Sequence, residues 1–327
     1  MIDIDTVFIL GAGASNPYGY PTGEALRDYI CTDFYSKFPS VFDNTTLHGL
    51  KSTWITNAEQ FSKIFRKSST PSIDLFLARN HRYSEVGRLA IILSMFDAER
   101  SSKFREEIRN RNQDWYSYIY HRMTKSLIDP DSYNNFGNNK VAFVTFNYDR
   151  SLEYFFYESL RHSFSSAGDD DIVKEVKKIP ILHVYGKVAD LPWQINSNAA
   201  LDYLEPDVDP YRRFSFDFLQ KLKSNIKIIH DREQHDCSEI HERLSNAKKI
   251  FFLGFGYATE NMEILQLSKV LRHKPEVYGT TLGFLEKEIE TIRGAIRSGF
   301  EYSSVNILLE NPRIKDMDCV TLLRNFL

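Results

Sequence analysis

The sequence predicts an α/β protein: a Rossmann-like parallel sheet with helices on both faces and a large helical insertion. Three observations predict it. Short apolar runs at 5–10, 141–146 and 249–253 have the length and lack of alternation of strands buried on both faces. Each run stops at a small or polar residue (Gly11, Asn147, Gly254) and is followed by helical spacing. The last third alternates strand and helix, with strands at 249–253, 277–283 and 304–309 separated by helices near 260–273 and 284–298.

The elements follow in order. After the strand at 5–10 comes a glycine turn, Gly11–Ser15, and a polar loop to Thr22. Leu26, Tyr29, Ile30 and Phe34 then mark one face of a helix over 24–35. Residues 36–139 carry no strand pattern. Apolar residues recur at helical spacing in 54–65, 73–77, 86–96 and 104–127, and 129–139 is rich in turn formers. This stretch reads as a helical insertion within a single domain spanning 1–327. Strand character returns at 141–146, followed by helix to about 161, an acidic loop at Gly168–Asp171 and a short strand at 181–185. Residues 190–246 are mixed, with a helix over 213–223, and a final helix at 317–327 closes the chain.

Composition narrows the function classes. The 327 residues are 42% hydrophobic and 26% charged, the balance of a soluble globular protein. A net charge of −3 argues against a broad electrostatic grip on nucleic acid. No apolar run approaches the roughly 20 residues that cross a bilayer, and no signal peptide is expected. Cys31, Cys237 and Cys319 are too scattered for a disulfide framework, so a cytoplasmic location is expected.

Chemistry-bearing residues gather at predicted strand ends, where open α/β sheets bind ligands. Gly11-Ala12-Gly13-Ala14-Ser15 allows close backbone approach to a diphosphate, but Asn16 stands where a dehydrogenase fingerprint has its third glycine. Gly254-Phe255-Gly256 is a second such turn. Thr145-Phe-Asn147-Tyr-Asp149 offers an amide and a carboxylate that can hold a ribose, a carboxamide or a water. His183 lies near a third strand end and suits base catalysis near neutral pH. Each has a plainer use: a joining turn, a strand cap, a helix N-cap at Asp149, a hydrogen-bonded core histidine. His230, His235, Cys237 and His241 match no zinc spacing, and no metal is expected.

Taken in order, these pieces resemble the sirtuin family. Gly11-Ala-Gly-Ala-Ser15 with Gly19-Tyr-Pro21 resembles its first motif, and Thr145-x-Asn147-x-Asp149 its second. His183 before Gly186 resembles the third, and Gly254-Phe255-Gly256 loosely the fourth. Three distant cysteines cannot make the four-cysteine zinc ribbon of the deacylating sirtuins. Thr22-Gly-Glu-Ala-Leu26 stands where those enzymes have an Asp-Phe-Arg segment, and Val184 and Tyr185 replace small residues. The chain looks instead like the bacterial branch that hydrolyses NAD in anti-phage defence, which the Pro71–Leu77 segment also resembles.

The resemblance implies NAD as substrate, cleaved to nicotinamide and ADP-ribose. Asn147, Asp149 and His183 would be the catalytic residues. Gly11–Ser15, Pro21, Thr22, Thr145, Asn147, Asp149 and Gly254–Gly256 would bind NAD. It also implies control by self-association or by a separate sensor or ATPase partner. An NAD-dependent protein deacylase and a non-catalytic nucleotide-sensing scaffold are the alternatives.

Overall fold

Thr6–Leu10 forms a strand because all five side chains are buried and apolar or β-branched, and both of its edges are paired. The computed structural model describes residues 1–43, 46–101, 114–195, 200–228, 236–301 and 312–327, with 298–301 described by their backbone. The described strands are β1 (Thr6–Leu10), β2 (Val141–Thr145), β3 (Ile181–His183), β4 (Lys249–Leu253), β5 (Glu276–Thr280) and β6 (Arg313–Lys315). They form one parallel sheet in the order β3-β2-β1-β4-β5-β6. The fold is therefore α/β and Rossmann-like. A ladder of rings crosses one face. Phe8 stacks on Phe143 at 5.1 Å and on Phe251 at 5.4 Å, and Phe251 stacks on Tyr278 at 4.8 Å.

Winding sets the position of the crevice. The chain steps outward from β1 through β2 to β3, then crosses back and lays β4 on the other side of β1. The carboxyl ends of β1 and β4 flank this reversal, the place where doubly wound sheets leave a ligand crevice.

The described elements of the connection from β1 to β2 are all helices, including those at His48–Lys67, Ile73–Arg79, Ser84–Arg100 and Trp115–Thr124. Helix Ser84–Arg100 buries residues on all sides, from Leu89 through Phe96, because the other insertion helices and the segment 201–214 surround it.

Several elements depart from the sequence expectation. The strand expected at 304–309 lies outside the described residues, and the edge position is taken by Arg313–Lys315. Asp169–Asp171 is not a loop but the first turn of helix Asp169–Val176, where carboxylates complement the positive end of the helix dipole. The helix expected over 260–273 is broken at Gln266, which takes a left-handed backbone (φ 45°) between Thr259–Leu265 and Leu267–Val270. The strand at 181–185 ends at His183, leaving Val184 and Tyr185 in the loop beyond it.

Candidate functional site

The two glycine turns meet backbone to backbone. Gly11 N–H donates to Leu253 O and Gly13 N–H to Gly254 O, both at 3.0 Å. A Cβ on Gly254 would lie 2.0 Å from Ala14 N, and one on Gly11 would lie 2.6 Å from Gly254 O. Gly254 also has φ +54°, a left-handed backbone that glycine adopts at no steric cost. The glycines at these strand ends are thus required first by each other. Among the N–H groups of Gly11–Gly13, Ala12's remains uncommitted, as first-turn donors are.

Over this contact opens a cavity of about 640 Å³, within the roughly 300–1,000 Å³ of small-molecule sites. Gly11, Ala12, Gly13, Ser15, Pro21 and Thr22 line it from the β1 side, Asn147 and Asp149 from β2, and Gly254, Phe255 and Gly256 from β4. Three expected site residues do not line it. Ala14 is buried beneath the turn, where its carbonyl accepts from Trp115 Nε1 at 2.8 Å. Thr145 sits behind Asn147, its Oγ1 accepting from Asn147 N–H at 3.1 Å.

His183 is the third. Its Nδ1 lies 3.0 Å from Asn147 O and its Nε2 2.9 Å from Glu153 Oε1, on the far side of the Asn147 backbone. It borders a separate, open depression with Lys187, Asp190, Asp236 and Glu239. The residue of this strand end that does line the cavity is Tyr185, whose hydroxyl donates to Asn261 Oδ1 at 2.7 Å. His183 therefore does not line the cavity with Asn147 and Asp149. The chain leaves β3 at His183, and the ring is drawn back by a buried carboxylate.

Asn147 and Asp149 belong to one network. Asn147 Nδ2 donates to Gly11 O and Ser15 Oγ, each at 3.0 Å. Both amide protons are spent, so Oδ1 is the end left to accept from a ligand. Ser15 and Ser151 hydrogen-bond to the Asp149 carboxylate, and Ser151 N–H donates to its Oδ1 at 3.1 Å. Tyr116, from the insertion, reaches Ser151 Oγ at 2.8 Å. Burial pushes the Asp149 carboxyl above the ordinary aspartate range, and the serine hydrogen bonds hold it back in part.

The insertion supplies a wall that motif reading largely missed. Ser72, Ile73, Asp74 and Met95 line the cavity, and Tyr148 OH donates to Asp74 Oδ1 at 2.5 Å. Burial raises Asp74 too, against the Tyr148 hydrogen bond. The Pro71–Leu77 segment carried the one available signal. From the β5 side come Thr280, Thr281 and Leu282, and Asp318 and Cys319 close that end. Burial holds the Cys319 thiol up at about 12, so it is not a thiolate near neutral pH.

Among the described lining residues there is no lysine, arginine or histidine, and three are carboxylic acids: Asp74, Asp149 and Asp318. Among the described residues no group of histidines, cysteines and carboxylates is arranged to hold a metal. His230 and His235 lie outside them, and His241 Nε2 pairs with Ile264 O at 2.9 Å. No described helix is long and apolar enough to cross a membrane. No protein-family model matches the chain, and no curated protein matches it in sequence.

Proposed function

We propose that the protein hydrolyses NAD to nicotinamide and ADP-ribose in this cavity. The observation that carries the reading is the placement of Asn147 and Asp149 beside the paired turns Gly11–Gly13 and Gly254–Gly256, in a crevice of dinucleotide size. The diphosphate passes over the Gly11–Ser15 turn, where the Ala12 N–H is left to donate. Asn147 Oδ1 accepts from a ribose hydroxyl or from the attacking water. As the bond from C1′ to nicotinamide breaks, its electron pair leaves with the nicotinamide and C1′ gains oxocarbenium character. Water oxygen bonds to C1′, and its proton passes to Asp149, a stronger base than an ordinary aspartate because of its burial. His183 is assigned no contact with substrate.

The role that fits such an enzyme is NAD depletion in anti-phage defence in the cytoplasm. Unrestrained activity would harm the cell that makes it, so self-association or a sensor or ATPase partner would switch it on. The test incubates purified protein with NAD and follows nicotinamide and ADP-ribose, with light scattering reporting the assembly state. Loss of turnover in Asn147→Ala, with NAD cleaved by the parent chain, is the expected result. NAD left intact by every assembly state, or full activity in Asn147→Ala, would overturn the reading.

A further inference from the structure

Asp74 brings a carboxylate from the insertion to the cavity wall. It stands in the first turn of helix Ile73–Arg79, where an acidic side chain has an ordinary use beside the helix N-terminus. Here Ser72 already caps that helix, its Oγ accepting from Leu75 N–H at 3.2 Å. Asp74 is engaged with the sheet instead. Its Oδ1 accepts from the Tyr148 hydroxyl at 2.5 Å, and Tyr148 lies between Asn147 and Asp149 on the turn after β2. Apart from Tyr148 and its own N–H, the carboxylate has no partner among the described residues, although a carboxylate can accept about four hydrogen bonds. Burial disfavours its charge, and no described lysine or arginine offsets that cost. A carboxylate kept in a cavity on such terms marks a functional position more often than a structural one.

We propose that Asp74 is a substrate-binding residue: the carboxylate oxygen that Tyr148 leaves free accepts a hydrogen bond from an N–H or O–H donor on the nicotinamide-riboside end of NAD. The identity of that ligand rests on the NAD reading. The end of the dinucleotide follows from Tyr148, which ties Asp74 to the turn carrying Asn147 and Asp149. Two kinds of donor lie at that end, the carboxamide N–H₂ and the hydroxyls of the adjoining ribose. Asn147 Oδ1 offers one acceptor from the sheet, and Asp74 offers another from the insertion. The reacting end is then gripped by two elements far apart in the chain.

Asp74→Asn is the informative substitution. Its one remaining oxygen is claimed by the Tyr148 hydroxyl, so an N–H₂ faces the ligand where an acceptor stood, donor against donor. The parent and the variant are titrated calorimetrically with carba-NAD, whose ribose ring oxygen is a methylene and which is not hydrolysed. The variant should bind about 10- to 100-fold more weakly, the worth of one hydrogen bond to a charged group, with a melting temperature no lower than the parent's. Tyr148→Phe leaves both oxygens of Asp74 to accept and should weaken binding less than Asp74→Asn does. Comparing kcat/KM for NAD and for deamido-NAD, which has a carboxylate in place of the carboxamide, identifies the donor. If the carboxamide is the donor, the parent prefers NAD and Asp74→Asn narrows that preference. If a ribose hydroxyl is the donor, both dinucleotides lose equally, and either pattern upholds the contact. Binding by Asp74→Asn within twofold of the parent overturns the proposal. So does an equal loss in Tyr148→Phe, which would mean that Asp74 acts only by holding Tyr148. A parent chain that does not bind carba-NAD overturns the NAD reading and this contact with it, whereas a parent that binds beside an unimpaired Asp74→Asn overturns this contact alone.

Discussion

Asp149 is held in place by the hydrogen bonds of two serines, yet its surroundings disfavour its charge. The sign of the effect on stability follows. A carboxyl raised in the folded chain binds its proton more tightly there than in the unfolded chain. The native state is thus best off below the unfolded value and loses stability as pH rises through the folded one. Asp149→Asn keeps an acceptor for Ser151 and carries no charge. Its melting temperature should exceed that of the parent at pH 7–8, and the gap should close as pH falls through the titration of Asp149. Nicotinamide release at neutral pH should drop by about 10²-fold or more if Asp149 takes the water's proton. Melting curves that coincide at every pH would show that the serines fully offset the burial, and unimpaired release would remove Asp149 from the chemistry.

At the level of elements, Gly254 and Gly256 look alike in the sequence and do different work. A Cβ at Gly254 would strike the backbone of Gly13 and Ala14, and the left-handed backbone there costs a side chain about 1–3 kcal/mol. Gly254→Ala should lower the melting temperature and spread the two turns. Gly256 has nothing within 4 Å of where a Cβ would stand, and it lines the cavity. Gly256→Leu should melt with the parent and fail to bind NAD, as isothermal titration would record. Equal melting of the Gly254→Ala variant, or undiminished NAD binding by Gly256→Leu, would refute these assignments. The strands β1, β2 and β4 were legible because unbroken apolar runs ending in glycine or Asn147 have few other readings. The two-sided crevice was legible for the same reason. That His183 faces away was not, because it depends on where β3 ends and on Glu153, thirty positions earlier on another element. β6 was hidden by its brevity: three residues of which Ile314 alone is buried.

Across the whole molecule, the insertion is not an appendage to the sheet. Arg150, directly after the Asn147–Asp149 turn, is fully buried and donates through two nitrogens to Glu99 of helix Ser84–Arg100, at 2.7 and 3.0 Å. The same guanidinium donates to Asp190 O at 3.2 Å and Asp202 O at 2.8 Å, and Glu99 accepts from Leu204 N–H at 2.6 Å. One ion pair thus joins the insertion, the β2 end and the 190–204 region. Neither residue drew notice in the sequence, because a charge inside a helical pattern reads as a solvated face until its distant partner is known. Removing one partner of a buried pair leaves the other uncompensated, at about 3–5 kcal/mol, a large part of the roughly 5–15 kcal/mol that holds a domain folded. Glu99→Ala should therefore shift the unfolding of sheet and insertion together. Far-ultraviolet dichroism, which reports the helices, and tryptophan fluorescence from Trp54, Trp115 and Trp193 should trace one displaced transition. By the same reasoning residues 36–139 expressed alone should not form a cooperatively melting unit, since Trp115 and Tyr116 pack into a core continuous with the sheet and hydrogen-bond to Ala14 and Ser151. An insertion that melts early in Glu99→Ala, or folds cooperatively by itself, would make it an independent domain and place its cavity wall, Ser72–Asp74, on a part free to move against Asn147.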